Sequence, residues 1–249
     1  MQKQRQEQIL QILDAEQYAT VQYLTHVLGC STATVNRDLN AMQQMKLVKR
    51  CYGGVEAVKG GLPPLPQRQF YMQKEKRQNA QKAAGLIQNG DRIFLDASTT
   101  VQHIVPFLAD KKELTVITNS LFLATELTKY EMEIICLGGQ VSERPYVLDG
   151  EDTVENALKY RVDKMFFSLN AVTLQGQVGA SHYLLYKTVM NNSKERYLLT
   201  DCAKVAENTP KMLCDFSALS GVISDFAFPP ETQALYPSTK FIVSASENR

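Results

Sequence analysis

Four short stretches carry the residue types that bind an anion, and each follows an apolar run. Asp96-Ala97-Ser98-Thr99-Thr100 follows Ile93-Phe94-Leu95, and Thr118-Asn119-Ser120 follows Val116-Ile117. Gly138-Gly139 follows Ile134-Ile135-Cys136-Leu137, and Asp201-Cys202-Ala203-Lys204 follows Leu198-Leu199-Thr200. Hydroxyls and free backbone N–H groups at a helix start attract negative charge, because the unpaired donors and the helix dipole both favour it. Paired glycines let the backbone come close to a ligand, and a lysine neutralises it. A Ser or Thr after a strand is ordinarily just an N-cap; four such ends together point to one anion site.

A second stretch suits duplex DNA. Val35, Leu39 and Met42 fall on one face of a helix opened by Ser31, a favoured N-cap. At 100° per residue, Ala33, Arg37, Asn40 and Gln44 lie opposite, flanked by Thr34 and Asn36. A face without apolar bulk can enter the major groove, where Arg and Asn pair with base edges. Arg37 is the expected principal base contact, with Ser31, Thr32, Thr34, Asn36 and Asn40 around it. Lys46, Lys49 and Arg50 follow on a short β-hairpin turned at Gly53-Gly54, where they could neutralise phosphates. Asp38 lies beside the apolar stripe and would repel phosphate, so it is expected to pair with a nearby cation.

These residues need two supporting bodies. Ile9, Ile12 and Leu13 at helical spacing supply a first helix over residues 2–14, and Leu24, Val27 and Leu28 supply a second, capped by Thr20 and broken at Gly29-Cys30. Three helices and a wing give a DNA-binding domain over residues 1–57. Residues 58–73, with Lys-Gly-Gly-Leu-Pro-Pro-Leu-Pro, concentrate the residues that stop regular structure and read as a linker. From 74 onward a helix over 74–88 is expected, ended by Asn89-Gly90-Asp91. Strands then alternate with helical patterns at 92–95, 114–118, 132–137, 164–168, 197–200, 221–224 and 240–243, the signature of βαβ units. The fold class is therefore α/β, an N-terminal winged helix-turn-helix domain plus a C-terminal doubly wound, mainly parallel sheet over 74–249. Such sheets bind ligands at the carboxyl ends of their strands.

Composition narrows the function. In 249 residues, 44% are hydrophobic, enough for a sizeable core, and the net charge is only +1, so any basic footprint is local. Cysteines 30, 51, 136, 202 and 214 show no CxxC pairing, which argues against zinc and against a secreted disulfide framework. No apolar stretch approaches membrane-spanning length. A cytoplasmic protein without metal or cofactor is expected. His26, His103 and His182 have no Ser/Asp pattern beside them and read as structural.

The chain resembles the DeoR family of bacterial transcription regulators at both ends. Cys30-Ser31, Thr34-Val35, Arg37-Asp38-Leu39 and Arg50-x-x-Gly53-Gly54 match its N-terminal signature, with Cys30 for Val, Asn36 for Arg and Val55 for Ala as departures. Asp96–Thr100, Thr118–Ser120, Leu137–Gly139 and Asp201–Lys204 match its effector-domain motifs. The resemblance implies a regulator of a carbohydrate-metabolism operon, ordinarily a repressor, that binds double-stranded operator DNA as a homo-oligomer, dimer or tetramer. It also implies a small-molecule effector, a phosphorylated sugar held by Ser98, Thr99, Thr100 and Lys204. Asp96 and Asn119 would orient sugar hydroxyls, and Gly138 and Gly139 would leave room. The second domain is also distantly similar to ribose-5-phosphate isomerase, whose Glu-Lys pair looks like Tyr186-Lys187, adding Lys187 to the effector set. An isomerase-like enzyme with an accessory winged helix is the alternative. The isomerase's acidic run corresponds to Ser168-Leu169-Asn170-Ala171-Val172, without carboxylates for acid/base work, so a non-enzyme is expected. A winged helix used only for protein contacts is a third reading.

Overall fold

The structure is a computed structural model that describes residues 2–16, 18–45, 47–51, 54–57, 72–142, 146–180, 183–209 and 211–244. The expected linker segment 58–71, together with Lys46, Gly53 and His182, lies outside the described residues. The chain divides into two compact units, Met1–Tyr71 and Met72–Arg249.

In the first unit, α1 (Gln2–Glu16) is followed by β1 (Tyr18–Thr20), α2 (Val21–Leu28), α3 (Thr32–Gln44), β2 (Val48–Cys51) and β3 (Gly54–Ala57). The expected caps are in place: the Thr20 side chain accepts from Tyr23 N, and the Ser31 side chain from Thr34 N. Gly29 ends α2 at φ 60°, a conformation that costs glycine nothing. Ile9, Leu13, Leu24, Val35, Leu39, Met42 and Val55 are all 0% exposed and form one core. Val27 departs from the expected buried stripe, being 49% exposed. Leu24 alone of α2 is fully buried, because α2 spans eight residues, barely two turns, and meets the core along a single line. The wing is three-stranded rather than a bare hairpin, with order β1-β3-β2.

The second unit opens with α4 (Gln73–Ala84), which stops at Gly85, short of the expected 88. Then come β4 (Arg92–Leu95), a 3-10 segment (Val101–Leu108), β5 (Thr115–Thr118), α5 (Leu121–Leu127), β6 (Glu133–Cys136), β7 (Gln140–Val141), β8 (Leu148–Asp149) and α6 (Glu151–Leu158). They are followed by β9 (Val162–Phe167), β10 (Ala171–Val172), β11 (Gln177–Gly179), α7 (Tyr183–Asn191), β12 (Ser193–Thr200), β13 (Met212–Asp215), β14 (Gly221–Ser224), α8 (Pro230–Leu235) and β15 (Lys240–Val243). Among the described residues, seven strands form a parallel sheet of order β15-β14-β12-β9-β4-β5-β6. Side chains alternate across it as the pleat requires. Phe94, Met165, Phe167, Leu198 and Val222 enter one core, while Ile93, Leu95, Phe166, Leu199 and Ile223 enter the other. Both faces are covered, as expected for a doubly wound sheet.

Candidate functional site

In the first unit the outer face of α3 is open. Thr32, Ala33, Arg37, Asn40 and Gln44 are exposed, while the helix is anchored underneath by Val35, Leu39 and Met42. Asp38 is 1% exposed and accepts from Arg5 Nε at 2.8 Å, so it fixes α1 against α3 as a structural ion pair. Ser31 and Thr34 are engaged at the cap, their hydroxyls 2.9 Å apart. Lys49 is exposed on the wing. Arg50 corrects the expectation of a plain phosphate contact: its Nη2 donates to Asn36 Oδ1 at 2.7 Å and its Nη1 to Asn40 Oδ1 at 3.3 Å. The guanidinium thereby ties the wing to the recognition helix through two residues expected to read bases.

In the second unit the strand order reverses beside β4. From β4 the chain adds β5 and β6 on one side, then returns to place β9, β12, β14 and β15 on the other. The carboxyl ends of β4 and β9 therefore flank the switch point, where open α/β sheets bind ligands.

The loop after β4 is folded around Asp96. Asp96 Oδ1 accepts from the Ser98 backbone N–H and hydroxyl, and Oδ2 accepts from Ser168 N at 3.1 Å and the Tyr186 hydroxyl at 2.8 Å. Burial raises the Asp96 pKa, and these four donors oppose the rise by favouring the carboxylate. A carboxylate offers about four lone-pair sites, so Asp96 has none left for a ligand. The expectation that it orients a hydroxyl is corrected: it shapes the loop.

That shape brings Thr99, Thr100 and Lys204 together. Lys204, 7% exposed, donates to Thr100 Oγ1 and to Ser168 Oγ, both at 2.8 Å, and pairs with Asp201 Oδ2 at 2.9 Å. Two of its three donors hold hydroxyls, and the charge faces the Asp201 carboxylate. Lys76, 2% exposed on α4, donates to Thr99 Oγ1 at 3.2 Å. Each of these hydroxyls accepts from a cation, which leaves its own proton to donate. Thr99, Thr100 and Ser168 thus each keep a hydroxyl proton beside a buried ammonium group, a chemistry suited to the oxygens of an anion.

The remaining expected residues are placed around these hydroxyls or away from them. Asn119, 5% exposed, donates Nδ2 to Leu148 O at 3.1 Å, while its Oδ1 has no hydrogen-bond partner among the described residues. Gly138 and Gly139 adopt φ of 71° and 106°. A Cβ on Gly139 would lie 2.0 Å from Thr153 Oγ1, so the space there is taken by α6, correcting the idea that this glycine leaves room for ligand. Lys187 Nζ lies over the Tyr183 ring, 5.5 Å from its centroid, and it is the neighbouring Tyr186 that reaches the loop. Ser168, Lys76 and Tyr186 were not anticipated as site residues. Ser168 directly follows a strand, and Lys76 lies at i, i+4, i+7 with Ala80 and Ala83, a charge on an apolar stripe. Both are signals the sequence contained.

The positive surroundings reach His103. Burial, with Lys76 and Arg77 next, lowers its pKa from 6.5 to about 4. Between those values the unfolded chain binds the proton and the folded one does not, so stability falls as pH drops through that window. His103→Gln is expected to flatten that loss, as read by urea denaturation at about pH 7 and about pH 4.5.

Residues 5–60 match the DeoR-like helix-turn-helix domain, and residues 72–226 match the DeoR C terminal sensor domain. The chain belongs to the DeoR family. The glycerol-3-phosphate regulon repressor of Escherichia coli (strain K12) is 27% identical over 92% of this chain and 92% of its own. The HTH-type transcriptional repressor GlcR of Bacillus subtilis (strain 168) is 28% identical over 90% of this chain and 88% of its own. Ribose 5 phosphate isomerase A from Neisseria gonorrhoeae matches with a TM-score of 0.39 and 18% identity over 53% of this chain and 52% of that one, so that alignment spans about half of either chain. In this DeoR-family protein the helix-turn-helix corresponds to the first unit, and the sensor domain contains the Thr99–Thr100–Lys204 cluster. None of the helices among the described residues is long and apolar enough to cross a membrane.

Proposed function

We propose that this protein is a cytoplasmic repressor of a carbohydrate-metabolism operon, released from its operator by a phosphorylated sugar. The observation that carries the reading is Lys204, buried at the switch point and holding the Thr100 and Ser168 hydroxyls, in a chain that also carries a winged helix-turn-helix. Relatives named as repressors, one of a glycerol-3-phosphate regulon, support the ligand class. The exposed α3 face enters the major groove with Arg37 on base edges, while Lys49 and the free donors of Arg50 approach phosphates. Two copies held at the spacing of two half-sites give useful affinity, which makes the working form a homo-oligomer. The effector acts by binding one arrangement better than the other. The reading that the site binds rather than turns over its ligand is supported by Asp96, whose carboxylate is filled by four donors, and by Asp201, which faces the Lys204 ammonium.

The test is selection of duplexes from a randomised pool, followed by fluorescence anisotropy on the winner. A single enriched sequence is expected, with Arg37→Ala weakening its binding by ~1–3 kcal/mol and sugar phosphates releasing it. Retention of no duplex above non-specific binding would end this reading.

A further inference from the structure

We infer that Asn79 is a positioning residue that makes α4 and the turn after β12 move together, so that a ligand bound at the carboxyl ends of the strands is felt at the helix where the sensor unit begins. The inference rests on the proposed sensor function and adds the route by which the site acts on the rest of the chain.

α4 (Gln73–Ala84) is the first element of the second unit, so any change in that unit that reaches the first unit along the chain must pass its N-terminus. It packs on β12, on β14 and on the 3-10 segment, and its buried face consists of Lys76, Asn79, Ala80, Ala83 and Ala84. Methyl-sized side chains interlock little with what they pack on. Such a helix can shift by the small shear that packed helices allow, and its polar ties decide where it stops. Two of these ties lead to the effector loops. Lys76 donates to Thr99 Oγ1, in the loop after β4, at 3.2 Å. Asn79, 0% exposed, donates Nδ2 at 2.7 Å to the carbonyl of Thr200, the last residue of β12 and the one before Asp201. Its Oδ1 accepts from the Ser244 hydroxyl at 2.5 Å, and Ser244 N donates to Ser224 O at 2.7 Å. The amide is thereby held at both ends, and away from water a broken bond leaves its partner unsatisfied. A displacement of the turn over 201–204 is therefore passed to α4 rather than absorbed beside it. At the start of α4, Met72 stands at φ 55° with no side-chain cap on the helix, a strained entry that a small shift of α4 changes.

The experiment uses the full chain and the duplex enriched from the randomised pool, with hydrogen exchange read by mass spectrometry. In the wild-type chain the duplex is expected to change exchange by about twofold or more in peptides covering α4, 96–100 and 200–204, because coupling between two sites acts in both directions. In Asn79→Ser the response of 200–204 is expected to vanish while that of α4 persists. Ser244→Ala removes only the second partner of Asn79 and should weaken the same response without abolishing it, and it carries the comparison if Asn79→Ser does not fold. A merely structural asparagine would raise exchange in 200–204 with and without duplex alike and leave the difference intact, which would overturn the inference. So would a wild-type chain that binds the duplex with no change in α4 or the loops, although release by sugar phosphates would still support the sensor reading. If no duplex is enriched, the proposed function fails, and this inference with it.

Discussion

Lys204→Ala is expected to destabilise the sensor unit by about 3–5 kcal/mol, the cost of leaving one member of a buried ion pair without its partner. Asp201 is 1% exposed and Lys204 7%, so water cannot replace the lost ammonium. The Thr100 and Ser168 hydroxyls would lose their common donor as well. The effect is separable from ligand binding by pairing the substitution with Asp201→Asn. Replacing a whole buried ion pair is far less damaging than breaking it, so Lys204→Ala with Asp201→Asn should recover part of the stability and still fail to respond to a phosphorylated effector. Urea denaturation of the two single variants and the double variant gives the coupling directly. Single-variant losses below about 1 kcal/mol, with no coupling, would show that the pair does not hold this loop.

Gly139→Ala should cost about 3 kcal/mol, summing the strain of a side chain at positive φ with overpacking against α6. The residue sits at φ +106°, and an added Cβ would meet Thr153 Oγ1 at 2.0 Å and the Asp149 carbonyl at 3.0 Å. Thr153 cannot simply swing away, because its hydroxyl donates to Gly138 O at 2.8 Å, and Asn156 Nδ2 donates to Leu137 O at 2.7 Å beside it. These two bonds dock α6 on the end of β6. In a Thr153→Ala background the hydroxyl clash disappears while the dihedral strain remains, so the glycine substitution should then cost measurably less. Equal costs in both backgrounds, measured by thermal denaturation, would remove the steric half of this account.

The seven strands of the main sheet were readable because both faces of that sheet are buried, which forces short, continuous apolar runs such as Ile93-Phe94-Leu95 and Leu198-Leu199. The smaller strands were not. Val178 pairs with Val172 and with Cys214, and strands of two to four residues joined across such separations leave no periodicity to detect. Val101–Leu108 carried a helical pattern and forms a 3-10 segment containing Pro106, whose ring and missing N–H oppose the regular α-helical ladder. In the site, spacing located the loops but could not assign their hydrogen bonds. Asp96 stood out as a carboxylate after a strand, yet its four acceptances come from Ser98, Ser168 and Tyr186, two of them some 70 to 90 residues away. Lys76 was missed for a different reason: its place on the Ala80/Ala83 stripe was visible, but a lysine on a helix is ordinarily solvated, and the packing of α4 is what encloses this one.

The Arg50 fork has an implication for redesign of DNA preference. Asn36 and Asn40 each face outward from α3 yet also hold the wing through that guanidinium. Exchanging either residue to favour another base would simultaneously loosen the hairpin, so altered specificity and altered grip on the sugar-phosphate rails would arrive together. A graft of α3 from another repressor into this scaffold should therefore carry the donor's own residue at position 50 with it.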